Sequence, residues 1–353
     1  MRADRWEQGS DFAYPELTAA TTRATWLPKE ASYWHSGRHA LRALVRSLRP
    51  GRVLFPSFYC QDVLEAADDT EVRAYADGPE DERIDASALD LRSGDMLVVT
   101  NNYGMRPAAP VSAVPAGVIL VEDHTHDPLS RWARTSTADF AFASLRKWFP
   151  LPDGGMLWSP AARPLPRAPA FDPSSHAASA AITLDRLTGM LLKQRYLAGE
   201  PVAKDDFRAR AIAGESAIGQ ADPAPMSPVS RTLLDLFPAE AWRVARSRNH
   251  ATFERALGSI RDARMLTRTG DDMRAPYAAV LCFDDPEKRE AVRSELVRRS
   301  IYPAVLWPID ARRAAGIPSA HVELSRRVLC LHCDHRYDAG DMERIAAAVR
   351  GAL

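Results

Sequence analysis

The first half of this chain carries a series of short, almost wholly apolar runs, at 52–55, 96–100, 118–122, 140–143 and 156–158. Such runs suit strands covered on both faces of a sheet. Helical or polar segments separate the first few. That alternation predicts an α/β unit with a mostly parallel sheet, and the closer spacing of the later runs predicts some antiparallel pairing. A helix is expected over 39–48, where Leu41, Leu44, Val45 and Leu48 recur at helical spacing, with Ser36 as its N-cap. Residues 1–33 read as an arm of mixed character, and 160–175, rich in Pro, Ala and Ser, as a loop. Helices follow over 180–196 and, with an interruption near Phe237-Pro238, over 229–257. The end of the chain reads as a strand (278–283), an amphipathic helix (287–299), a second strand (328–333) and a closing helix (341–353).

A length of 353 residues suits two packed units. We place them at 1–245, an arm and a large α/β domain, and 246–353, a small C-terminal α+β domain. Bulk charge is balanced, 46 basic residues against 46 acidic, which points to a small-molecule partner rather than nucleic acid or an acidic membrane. No stretch approaches the roughly 20 apolar residues of a membrane span. The first residues lack an apolar signal core, and the cysteines Cys60, Cys282, Cys330 and Cys333 are too scattered for a disulfide framework. A cytoplasmic location is expected.

Chemistry-bearing residues cluster at the ends of the apolar runs. Lys147, one of only five lysines, follows the 140–143 run and precedes an aromatic turn that ends in Gly154-Gly155. Desolvation there makes an amine nucleophilic toward a carbonyl, whereas an ammonium left in water is an ordinary surface group. Asp123 ends the 118–122 run, where open α/β sheets bind ligands; it is placed either to hold a proton on a heteroaromatic nitrogen or simply to cap a turn. Ser36-Gly37-Arg38 opens a helix, and amides at such a start bind phosphate. Ser144 lies three residues before Lys147, so its hydroxyl can face the same phosphate. Tyr59, with Phe58 and Cys60 as rivals, sits where an aromatic ring can either stack on a flat ligand or simply pack in the core. Asp123, His124 and His126 also admit a metal reading, and Cys330-Leu-His-Cys333 looks like half a zinc site with no second half.

The order of these segments resembles the fold-type-I enzymes dependent on pyridoxal 5'-phosphate (PLP), in particular the DegT-type sugar aminotransferase family. The resemblance rests on Ser36-Gly-Arg-His-Ala-Leu, Phe55-Pro-Ser-Phe-Tyr, Asn102-Tyr-Gly, Val121-Glu-Asp-His-Thr-His, Lys147 with Gly154-Gly155, and Leu331-His-Cys-Asp-His-Arg-Tyr with Asp341-Met-Glu-Arg-Ile. It implies a Schiff-base lysine at Lys147, a partner for the ring nitrogen at Asp123 and a contact to the ring's 3-hydroxyl at His126. It also implies a phosphate cup at Ser36, Gly37, Arg38 and Ser144, with Tyr59 as the stacking residue. The implied protein is a homodimeric aminotransferase moving an amino group from an amino donor to a sugar or other small carbonyl acceptor. The family's tyrosine–asparagine–arginine motif has no counterpart in 204–230, which leaves room for another PLP reaction, such as elimination, replacement or decarboxylation of an amino acid. A metal-dependent hydrolase and a non-catalytic ligand-binding descendant are the remaining readings.

Overall fold

The structure, a computed structural model, describes residues 5–9, 11–16, 26–67, 70–269 and 274–353. In chain order the first half contains β1 (Ala31–Trp34), α1 (Gly37–Leu48), β2 (Arg52–Pro56), α2 (Gln61–Leu64), β3 (Glu71–Tyr75), β4 (Ile84–Asp85), β5 (Met96–Thr100), β6 (Val111–Ser112), β7 (Ile119–Asp123), α3 (Arg131–Thr135), β8 (Phe140–Ala143) and β9 (Gly155–Trp158). The second half contains α4 (Ala177–Leu197), α5 (Lys204–Gln220), α6 (Pro228–Leu236), α7 (Ala239–Leu257), β10 (Ala263–Met265), β11 (Ala278–Phe283), α8 (Pro286–Arg298), α9 (Ser319–Arg327), β12 (Val328–His332) and α10 (Ala339–Arg350).

Seven strands form one sheet in the order β1-β9-β8-β7-β5-β2-β3. Strands β3, β2, β5, β7 and β8 pair in parallel, and β9 runs antiparallel to both β8 and β1. The apolar runs are continuous because the sheet is buried on both sides. On one face Val53, Phe55, Val98 and Val121 pack with Leu41, Leu44 and Val45 of α1. On the other, Leu54, Leu97 and Val99 pack with Trp132 and Ile84. Alternate residues of one strand therefore feed two separate cores, leaving no face for polar residues.

A second sheet, β10-β11-β12, is antiparallel. Its core includes Leu281, Phe283, Leu329 and Leu331, with Val292 and Leu296 of α8, Ile345 and Val349 of α10, and Phe253 and Leu257 of α7. The expected division at 245/246 falls within the unbroken helix α7. Several elements lie outside the sequence expectations, among them β1, which begins inside the assigned arm, β3, which forms the sheet edge, and α5 over 204–220. Among the described residues no helix is long and apolar enough to cross a membrane.

Candidate active site

The site is built on the carboxyl ends of β2, β5, β7 and β8. These strands come together there because β2 has neighbours on both sides that follow it in sequence, the switch point at which open α/β sheets form a crevice. A cavity of about 850 Å³ opens at this edge, within the roughly 300–1,000 Å³ common for small-ligand pockets. Ser36, Gly37, Arg38, Tyr59, Asp123, His126, Ser144 and Lys147 all line it. All eight residues that the family resemblance assigned to the site thus line one cavity, while Phe58 and His124 do not.

The α1 start forms one wall. Ser36 is extended (φ −155°, ψ 168°), and its Oγ accepts from the His39 amide at 3.2 Å. A helix leaves its first amides without intrahelical partners, here those of Gly37 and Arg38. Space is tight: a Cβ on Gly37 would lie 3.0 Å from the Ser144 Cβ, and one on Gly155 would lie 2.2 Å from the Ser36 carbonyl carbon. Gly155 is therefore fixed by the approach of β9 to the helix start. Gly154, at φ +138°, is in a conformation that side chains rarely adopt.

Asp123, at the end of β7, is 5 % exposed. Its Oδ2 accepts from the Tyr59 hydroxyl at 2.5 Å and its Oδ1 from the Thr125 amide at 2.8 Å. Burial raises its pKa above the usual carboxylate value, against the pull of those hydrogen bonds. The Tyr59 ring lies near Phe55, with centroids 5.7 Å apart.

The Nδ1 atom of His126 accepts from the Tyr103 amide at 2.9 Å, so in the neutral ring the proton sits on Nε2. Burial lowers its pKa to about 3. Its ring stacks with Tyr277 (4.5 Å) and with Trp307 (5.4 Å, 9° between planes).

Lys147 ends a short turn after β8 and is 42 % exposed, with that surface facing the cavity. Its Nζ donates to Glu215 Oε1 at 3.2 Å. The Glu215 charge favours the ammonium, but burial together with Arg146 outweighs it, and the amine's pKa is lowered. Glu215 also pairs through both oxygens with Arg146 and lies 3.6 Å from Arg186 and 3.9 Å from Arg38. Despite the cost of burial, Arg146 and Lys147 hold its carboxyl well below the usual range.

Sequence reasoning missed Glu215, Arg186 and Tyr277, whereas Trp307, which the sequence offered as part of an acceptor pocket, does line the cavity. The α5 signal is readable in retrospect. Its buried residues Phe207, Gly214 and Ile218 lie on one helical stripe, and Asp205 and Asp206 sit in its first turn. The metal reading loses its geometry, because His124 binds Glu122 Oε2 at 2.8 Å and packs edge-on against Trp132, apart from Asp123 and His126. Among the described residues no three His, Cys, Asp or Glu side chains are arranged to hold a metal. Cys330 and Cys333 enter different cores, as alternate sides of a strand require.

No family model matches the chain, and no curated protein matches it. Solved structures do. The aminotransferase TlmJ from Streptoalloteichus hindustanus matches at 16 % identity over 92 % of this chain and 85 % of its own, with a TM-score of 0.60. The sugar aminotransferase CalS13 from Micromonospora echinospora matches at 16 % identity over 92 % and 87 %, with a TM-score of 0.59. Spr1654 from Streptococcus pneumoniae, solved in a PLP form, matches at 11 % identity over 95 % and 93 %, with a TM-score of 0.60. The chain shares the fold of these proteins, a large, mostly parallel α/β sheet followed by a smaller antiparallel one, as the sequence resemblance implied.

Proposed function

We propose that this chain is a PLP-dependent aminotransferase that moves an amino group from an amino donor to a sugar or other small carbonyl acceptor. The observation that carries the reading is the convergence of Lys147, Asp123 and the α1 start on one cavity. The residues present fit the cofactor. Gly37 lacks the Cβ that would crowd the cup against Ser144, and the amides of Gly37 and Arg38 face a phosphate as helix starts do. In this reading the hydroxyls of Ser36 and Ser144 complete the cup, Tyr59 and His126 flank the ring, and Lys147 is the attachment point.

PLP, when bound, supplies the electron-withdrawing ring that stabilises negative charge at a substrate α-carbon. The chain's own residues do the rest. Asp123, fixed by Tyr59 and Thr125, would hold a proton on the ring nitrogen, and that positive charge would offset the burial that raises the carboxyl's pKa. His126, neutral and protonated on Nε2, offers one donor. Lys147, once freed, has a lowered pKa suited to taking a proton from the substrate carbon and returning it elsewhere. The assignment includes a homodimer, a cytoplasmic location and a division into a large unit, 1–245, and a small one, 246–353.

The test is an absorption spectrum of the purified chain before and after borohydride, followed by peptide mapping. A visible band lost on reduction, with the label on Lys147, supports the reading; the band should be missing in Lys147→Ala. Failure of glutamate and other common donors to convert the cofactor to its amine form would end the aminotransferase assignment. That same result would favour elimination, replacement or decarboxylation. One observation keeps this second reading in view: α5, with Glu215, lies where the tyrosine–asparagine–arginine segment was sought.

A further inference from the structure

Four cations, Arg38, Arg146, Lys147 and Arg186, come within 3.9 Å of one carboxylate, that of Glu215. One unit of negative charge cannot balance four of positive at contact distance. Asp11 is a further acidic group on this wall, and Arg186 feels its charge.

The cage is built by the sequence of α5. Glycine inside a helix costs about 1 kcal/mol relative to alanine, yet α5 has glycines on both sides of Glu215. A Cβ on Gly214 would lie 2.4 Å from the Arg186 side chain, and one on Gly219 would lie 2.6 Å from an Arg38 guanidinium nitrogen. Each glycine leaves the space that one arginine fills. Arg146, 4 % exposed, keeps a buried Nε without a hydrogen-bond partner and lines the same cavity. A guanidinium has five donors in a fixed fork, and planar or tetrahedral oxyanions match that fork.

We propose that Arg38, Arg146 and Arg186 form an oxyanion-binding site, and that Glu215 is a built-in surrogate that an incoming phosphate or carboxylate displaces. The anion's source, the phosphate of the cofactor or an acidic group of the substrate, rests on the function proposed above; the site itself does not. Displacement frees the Lys147 ammonium from its 3.2 Å contact at the moment a ligand arrives.

Titration calorimetry of the full chain, freed of cofactor, with sodium phosphate and with sodium glutarate at matched ionic strength tests this. Glu215→Gln removes the competing charge and should bind at least one of these anions about tenfold more tightly than the unaltered chain. A gain for phosphate alone marks a phosphate-bearing ligand, and a gain for glutarate alone a carboxylate. Arg186→Gln should weaken the same anion about fivefold or more. Equal or weaker binding of both anions by Glu215→Gln overturns the proposal. If that variant does not fold, Arg186→Gln decides, and unchanged affinity there rejects the site. Either result is independent of whether the chain transfers amino groups.

Discussion

At the scale of single residues, His126 is the most sharply defined group in the cavity. Burial holds its pKa near 3, and the Tyr103 amide fixes which nitrogen is free of hydrogen. Nitrogen-15 spectra of the ring should show one neutral tautomer, with hydrogen on Nε2, unchanged from pH 5 to pH 9; titration near the ordinary histidine value would contradict the geometry. The linkage follows in sign. A folded-state pKa below the unfolded value of about 6.5 gives stability that is full above pH 6.5 and is lost as pH falls toward 3. Residues of this kind were legible when their partners were local. Asp123 ends its own strand and Lys147 follows its own by one short turn, so position made each a candidate, and the order of the segments selected the chemical reading over the bland one. Glu215 meets Lys147 across 68 residues of sequence, and its role depends on a helix–strand packing that no local pattern encodes.

At the scale of elements, β2, β5, β7, β8 and β9 were readable because burial on two faces makes them continuously apolar, and α1 because its cap and stripe agree. Strand β3 was not, since its residues alternate exposed and half-buried at the sheet edge and carry Glu71 and Arg73. Helix α5 was not, because much of it faces outward and its small buried stripe includes a glycine. The junction of β9 with α1 gives a direct test. Gly155→Ala places a methyl 2.2 Å from the Ser36 carbonyl carbon and 2.5 Å from the Gly37 nitrogen. Neither backbone atom can move without shifting the helix start. Urea unfolding should show a loss of about 3 kcal/mol, the upper part of the usual overpacking range, and phosphate binding should weaken as well. A loss below about 0.5 kcal/mol, the size of a neutral surface change, would mean that β9 and α1 are not locked together.

At the scale of the molecule, the arm joins parts that are distant in sequence. Trp6 donates to Asp341 of α10 at 2.9 Å, Gln8 to the His332 carbonyl at 2.8 Å, and the Gly9 amide to the Tyr337 hydroxyl at 3.0 Å. Glu7 points the other way, as alternation along an extended segment requires, and takes Lys193 of α4 at 2.8 Å and Lys204 of α5 at 2.5 Å. The arm thereby fastens the α4–α5 pair, and with it Glu215, to the C-terminal sheet. Nothing in the mixed composition of the arm predicted this, because the clasp depends on partners nearly 200 or more residues away. Glu7 and Lys193 are 6 % and 7 % exposed, so Glu7→Gln strands a buried ammonium. Removing one partner of a buried pair costs about 3 kcal/mol or more. Chemical denaturation should register that loss, and amides of α4 and α5 should exchange with deuterium faster, with a smaller change in β5. Uniform acceleration across the chain would point to global destabilisation alone, and no change in either measurement would show that the arm is not a clasp.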